Sequence, residues 1–338
     1  MKKLRIIVSL ALAVLLLCGA MSSCDLVDRL MGNVPENGED TSDGTADADK
    51  PKDSETEKKP DETKYVSKTP SKTPSKTPSD DKNDGDGNSE GLYEGILYER
   101  EGDYIYFGEY PQTLKADNVN ISTAMDSRGY YLGSDGAYYA KAISDVEKYY
   151  KVEPIKWRIL SDSNGTALLM ADIILDGKKF GSSSSNYANS TVRAWLNGDF
   201  YNGAFDNSQK KIVETTTVKN GADSTGWDTD INTCENTNDK IFLLSYTEIT
   251  NKSYGFNGEG DVYDTARQLK ISDYAKARGV IPYNETAAYK ENGAWWLRSS
   301  MHTDSKLVQT VETRGSARSN VEYATSTCGV VPALRIKL

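Results

Sequence analysis

Histidine is almost missing from this sequence: His302 is the only one in 338 residues. A Ser-His-Asp or Cys-His catalytic arrangement must therefore run through His302 or not exist. That residue sits in Met301-His302-Thr303-Asp304-Ser305, which reads as a polar surface loop between two strands. Metal sites built on two or three histidines are excluded. Cysteine is scarce too, four in all, and no two are spaced as C-x-x-C. That removes the usual zinc cluster and any disulfide framework. Positive charge is not in excess either. The net charge is −10 and no basic patch stands out, so nucleic acid is not an expected partner. The longest apolar run, Ile6 to Leu17, is well short of the roughly twenty residues a membrane span needs.

What that run does fit is a secretory signal. Lys2, Lys3 and Arg5 precede it, and the small residues Gly19 to Ser23 follow it. Met21-Ser22-Ser23-Cys24 resembles the lipobox of bacterial lipoproteins, with Met21 where leucine is commonest. Cys18 follows Leu15-Leu16-Leu17 and lacks the small residues before it. The resemblance implies a signal peptide over 1–23, removed by cleavage, and acyl chains on Cys24. Each buried methylene adds about 0.8 kcal/mol, so two or three chains hold a protein on a bilayer. The expected location is the cell membrane, lipid-anchored and facing outside the cytoplasm.

Residues 24–90 carry little that could build a core. From Asp25 to Glu90 there are 18 acidic and 10 basic side chains, and Tyr65 is the only aromatic. Such a segment cannot bury enough apolar surface to offset its ordering entropy, and it is expected to be a disordered linker. Three Ser-Lys-Thr-Pro units, from Ser67 to Pro78, stiffen it into an extended spacer.

Residues 91–338 hold 20 of the 21 tyrosines and all five tryptophans, on a near-balanced charge of −5. That length suits one globular domain. Tyr93 to Tyr98 and Asp103 to Phe107 read as a hairpin around Gly102. Pro154 to Leu160 alternates as a strand, Asp162-Ser163-Asn164-Gly165 turns, and Thr166 to Met170 returns. Ser190 is an N-cap, with Val192, Trp195 and Leu196 on one helical face and Asn197-Gly198 as its end. Short helices are expected near 200–205 and 208–212. Lys240 to Leu244 reads as a strand, and Ser245 with Glu248 makes a capping box. Asp261 to Arg278 has helical character, and strands are expected at 294–297, 307–311, 321–324 and 329–336. Hairpins at both ends with helices between them argue an α+β domain.

Several segments together carry a family resemblance. They are Phe107-Gly108-Glu109-Tyr110-Pro111-Gln112, Pro154-Ile155-Lys156-Trp157-Arg158 and Ser190-Thr191-Val192-Arg193-Ala194-Trp195-Leu196-Asn197. Phe200-Tyr201 with Ala204-Phe205, Asp239 to Ser245, Trp295 to Ser299 and Gly329 to Leu334 complete the series. In this order, residues 104–338 resemble an uncharacterised bacterial surface domain-of-unknown-function family (number 6273). The chain departs from the pattern at Val331, where the family usually has arginine, and at Arg335, where it has an aromatic. The last 45 residues or so also look like C-type-lectin-like folds, including formylglycine-generating enzymes. That likeness implies a mixed domain whose N- and C-terminal strands pair in one sheet. Only Cys328 lies where such an enzyme carries two cysteines, so that activity is not carried over.

Candidate sites follow from residue type and spacing. On the strand at 295–298, alternation puts Trp295 and Leu297 on one face and Trp296 with Arg298 on the other. Trp296 and Arg298 are therefore the candidates to face a groove, one stacking and one donating hydrogen bonds. Arg193, Trp195 and Asn197 form a second candidate ligand-binding group, with helix packing and capping as the competing use. Asp228, Asp230, Asn232 and Asp239 match the first, third, fifth and twelfth positions of a calcium loop, but Thr233 replaces its glycine and Asp239 its glutamate. Calcium is thus the one candidate cofactor. Cys234 and Cys328 are the pair left for one disulfide.

Two readings of function remain open. One is a membrane-anchored module that binds an extracytoplasmic ligand, a glycan or a protein, through Tyr, Trp and Arg. The other is a secreted glycoside hydrolase or other surface enzyme working through paired carboxylates, of which the sequence nominates no pair.

Overall fold

The computed structural model describes residues 97–142, 145–317 and 320–338. The signal sequence, Cys24, the spacer and the expected strand at 93–96 lie outside the described residues.

The long strand β6 (Asp145–Ser163) organises the larger sheet, because its 19 residues offer pairing edges to three partners. Along one edge runs β2 (Tyr104–Leu114), registered Tyr104 to Arg158 and Leu114 to Tyr150. On the other edge, β5 (Tyr138–Ala142) pairs near Lys151 and β7 (Thr166–Ala171) pairs from Trp157 onward. The β6–β7 turn is the expected one: Asn164 and Gly165 take φ of 56° and 72°, the left-handed pair that tight hairpins require. β1 (Glu99–Glu101) adds to β2, while β3 (Ile121–Met125) and β4 (Tyr131–Gly133) extend beyond β5. These last strands occupy the Gly- and Tyr-rich stretch whose pattern is too weak to assign from sequence.

Among the described residues the first strand of the domain is β1, with Leu97 and Tyr98 outside it, and the second strand does not end at Gly108. It continues through Tyr110-Pro111 to Leu114, past irregular registers at 106–109 and 111–113. Gly108 at φ 68° makes the first irregularity possible, and the Phe205 ring fills the space a Cβ would need.

A second sheet is built from β8 (Asp176–Lys179), β12 (Trp295–Met301), β13 (Asp304–Val311), β14 (Val321–Tyr323) and β15 (Thr327–Val330). Its order is β14-β13-β12-β15-β8, with β12 and β15 parallel. Two of the chain's crossings between the sheets run side by side. β7 leads into β8, and β15 leads into β16 (Ala333–Lys337), which pairs with β7 in the larger sheet. The single closing strand expected over 329–336 is therefore two strands. They break at Val331-Pro332, where proline has no N–H to continue a ladder. β11 (Ile241–Phe242) completes the larger sheet beside β16, and β9 (Thr216–Val218) and β10 (Thr237–Asp239) form a separate ribbon.

The helices are short. α1 (Thr191–Trp195) starts at the expected cap, with the Ser190 hydroxyl accepting from the Arg193 amide. Asn197-Gly198 does not end it; a π-helical turn over 196–200 carries the chain into α2 (Tyr201–Ala204). α3 (Tyr246–Ile249) opens with the complete Ser245–Glu248 capping box. The helical character of 261–278 resolves into a 3-10 turn at 265–267 and α4 (Asp273–Ala277). The rest of that segment is tied down by the buried Arg267, whose guanidinium reaches the carbonyls of Glu259 and Val262.

The architecture is mixed α+β. Among the described residues the N- and C-terminal strands lie in one sheet without pairing directly: β2 and β16 have the β6–β7 hairpin between them. One continuous core joins the sheets and helices, with Trp157, Trp295 and Trp296 all at 0 % exposure. Each such ring removes on the order of 200 Å² from water, worth up to about 5 kcal/mol.

Candidate functional site

β12 is a central strand covered on both faces, so the alternation that would set Trp296 on a groove does not apply. Trp295 donates to the Arg267 carbonyl at 3.1 Å and Trp296 to the Lys178 carbonyl at 2.8 Å. The expectation that Trp296 is a contact surface is corrected: it is core. Arg298, next along, leads to a cleft.

That cleft has a volume of about 360 Å³ and is walled by β9, the start of α3, Arg298 and Arg335. Its inner end is built by the capping box. Ser245 turns the chain out of the larger sheet, and α3 swings Glu248 back so that its carboxylate accepts from the Ser245 amide at 2.8 Å. Arg298 meets that carboxylate in a fork, Nη1 to Oε2 at 2.5 Å and Nη2 to Oε1 at 3.1 Å. The same guanidinium donates to the carbonyls of Leu243 at 2.7 Å and Lys219 at 3.1 Å. Burial pushes the Glu248 carboxyl up, but the guanidinium and the Ser245 donors outweigh it and hold the group below the usual carboxylate range. Glu248 is thus a fixed anion committed to Arg298.

The open part of the cleft is polar. Lys219 and Asp223 stand 3.9 Å apart on its rim with more than half of each side chain exposed. The Thr217 hydroxyl donates to Asn238 at 2.9 Å, while the Thr216 hydroxyl is buried and has no hydrogen-bond partner among the described residues. Phe242 and Leu168 supply apolar wall, and Arg335 lines the side opposite α3. The arrangement offers donors and acceptors at fixed positions around a small volume. Of its two carboxylates, Asp223 is a rim group and Glu248 is already paired.

The other nominated residues do not meet here. Arg193 pairs with Asp239 through Nε at 2.8 Å and also donates to the Ala188 carbonyl. Asn197 accepts from the amides of Lys240 and Ile241 and donates to the carbonyls of Arg193 and Ile241, bracing α1 against β11. Trp195 is half-buried against Phe200, with the Lys178 ammonium 4.5 Å above its ring.

The calcium-loop spacing also fails to converge. Asp239 is taken by Arg193 and the Thr237 hydroxyl, Asp230 by the Ser300 hydroxyl and the Asn232 amide, and Asp228 is exposed. The Asn232 side chain donates to the carbonyls of Met301 and His302. Among the described residues no cluster of three or more histidine, cysteine or acidic side chains could hold a metal ion. Cys234 and Cys328 are not bridged, so the disulfide is corrected as well: Cys328 is packed in the core and Cys234 accepts from the Ala188 amide. His302 stacks on Trp227, ring centres 4.0 Å apart, in the turn between β12 and β13.

The way the cleft's remaining lining comes together carries no sequence signal, because Thr216, Lys219 and Asp223 lie on one segment and Arg335 on another that meets it only in the fold. The fold and cleft define an α+β domain with a small polar cleft between a two-stranded ribbon and the larger sheet. The chain belongs to the family described as Domain of unknown function (DUF6273), which matches residues 164–338. The resembling segments at 107–112 and 154–158 precede the matched residues. No curated protein and no solved structure matches the chain.

Proposed function

We propose that the protein is a lipid-anchored bacterial surface lipoprotein whose α+β domain binds an extracytoplasmic ligand, a glycan or a protein segment, in the cleft beside Arg298 and Glu248. One observation carries the binding reading: the cleft presents hydroxyl, ammonium and guanidinium groups to solvent while its inner carboxylate, Glu248, is locked to Arg298. A carboxylate held in a bidentate pair keeps its charge and geometry but is a poor proton carrier, which disfavours the glycoside-hydrolase alternative. The anchor rests on the lipobox-like Met21 to Cys24, and a C-type-lectin-like topology rests on the strand pattern of 295–334.

The test is a glycan and peptide array probed with the purified full-length chain, repeated with Thr217→Ala and Lys219→Ala. Retention of a defined ligand that both substitutions weaken supports the reading. Turnover of any retained glycan into products replaces it with the hydrolase, and retention unaffected by either change removes the cleft from it. For the anchor, Cys24→Ser is expected to abolish palmitate labelling and release the protein from membranes. An unlabelled wild type refutes the lipid.

A further inference from the structure

A second cleft of about 330 Å³ lies where β8, the end of α4 and β15 meet. Lys178, Lys179 and Arg278 line it, with Thr327 and the backbone of Gly177 and Gly279. The fixed counter-charge here is Asp176, only 1 % exposed. It takes Arg278 Nε at 3.2 Å and Lys178 Nζ at 3.5 Å. Its remaining acceptor positions go to the Tyr110 hydroxyl and the Gly177 amide, both at 2.7 Å. Asp176 is therefore saturated. The next acidic groups on α4 and the loop after it, Asp273 and Glu291, are both engaged by Lys276.

Three cations against one carboxylate leave about two positive charges on the lining. Among the described residues, Lys179 Nζ and the Arg278 Nη atoms hold no acceptor. Like charges gathered this way cost free energy until an anion joins them, and they concentrate anions at the cleft. The walls are held close: a Cβ on Gly177 would lie 2.7 Å from the Arg278 carbonyl oxygen. A planar guanidinium with free Nη atoms matches two oxygens of a phosphate, and the Lys179 ammonium adds a point charge beside it, while the Lys178 ammonium is held by Asp176 and the Trp195 ring.

We propose that this cleft, distinct from the one beside Arg298, binds a dianionic phosphate group, presented either as free phosphate or as a phosphate monoester on a sugar. Asp176 acts as a positioning residue, turning Arg278 Nε inward so that its Nη atoms face the ligand.

Calorimetric titration of the full-length chain with inorganic phosphate and with glucose 6-phosphate, at low salt, tests this. Saturable binding is expected, about tenfold weaker or more in Lys179→Gln and in Arg278→Gln, and weakened by added salt. Affinity is also expected to climb as pH rises through the second phosphate ionisation, about 6 for the ester and roughly one unit higher for the free ion. Binding of both titrants means the ester is accepted, and binding of inorganic phosphate alone means the free ion is the ligand. Lys179 is exposed and its ammonium makes no hydrogen bond or ion pair among the described residues, so Lys179→Gln remains decisive where Arg278→Gln disturbs Asp176. No saturable binding, or binding that Lys179→Gln leaves unchanged, overturns the assignment.

Discussion

Glu248 and Arg298 should behave as one energetic unit, and the two halves should not be equally replaceable. The Arg298 side chain is 2 % exposed and that of Glu248 27 %. Glu248→Ala therefore strands a guanidinium that cannot rehydrate, and it also breaks the capping box that starts α3. Stranding a buried charge costs about 3–5 kcal/mol, and the two carbonyls that Arg298 keeps place the loss toward the lower end. The broken cap adds about 1 kcal/mol. Arg298→Met leaves a carboxylate that water can still reach, and it leaves the buried Leu243 carbonyl short of a donor, for about 2–3 kcal/mol. The double variant should lose less than the sum of the two, by about 1.5–3 kcal/mol, because it strands neither partner. Urea unfolding followed by tryptophan fluorescence reads all four proteins, since Trp295 and Trp296 report the same strand. A strictly additive double variant, or a Glu248→Ala loss under about 1 kcal/mol, would refute the reasoning. The pH dependence gives a second handle. The folded carboxyl titrates below its unfolded value, so its contribution is fully present above the ordinary glutamate range. It is lost as pH falls through the folded value. The wild type should therefore lose more stability on acidification than Glu248→Ala does.

Three further outcomes are expected. Asn197→Ala removes three hydrogen bonds to the backbone of 240–241 and one to the Arg193 carbonyl, and should cost about 2–4 kcal/mol in urea unfolding; a near-neutral result would mean water takes over the bracing. Calcium and EDTA should leave the unfolding midpoint alike, because Asp239 is spent on Arg193; a calcium-dependent rise in midpoint would contradict this. Reductant should leave thermal stability unchanged, and two thiols should react after denaturation of protein never exposed to reductant; a clear drop in melting temperature would show that Cys234 and Cys328 are bridged.

Short-range chemistry was legible in the residues themselves. The Asn164-Gly165 turn, the Ser190 cap and the Ser245–Glu248 box each depend on neighbours within four positions, and the structure has all three. The helix read across 261–278 failed because spacing alone cannot see Arg267. That buried charge draws the backbone carbonyls of 259 and 262 toward itself and away from a regular helix. Alternation along 295–298 failed for a related reason: a period of two separates the faces of a strand but does not say whether one face meets water.

Family membership, the mixed α+β class, the local turns and the caps were thus determined by sequence, because each rests on residue type and near-neighbour spacing. Which tryptophans are core, why Arg298 is bound to Glu248, and how Thr216, Lys219 and Arg335 come to share a cleft were decided by tertiary structure alone. Those residues are brought together by the chain's crossings between the sheets, among them those at 172–175 and 331–332, and such long-range pairings depend on the burial of every other strand at once. The cation cluster at Lys178, Lys179 and Arg278 has the same origin, since Asp176 on β8 draws in an arginine from the other side of the domain's sequence, just beyond α4.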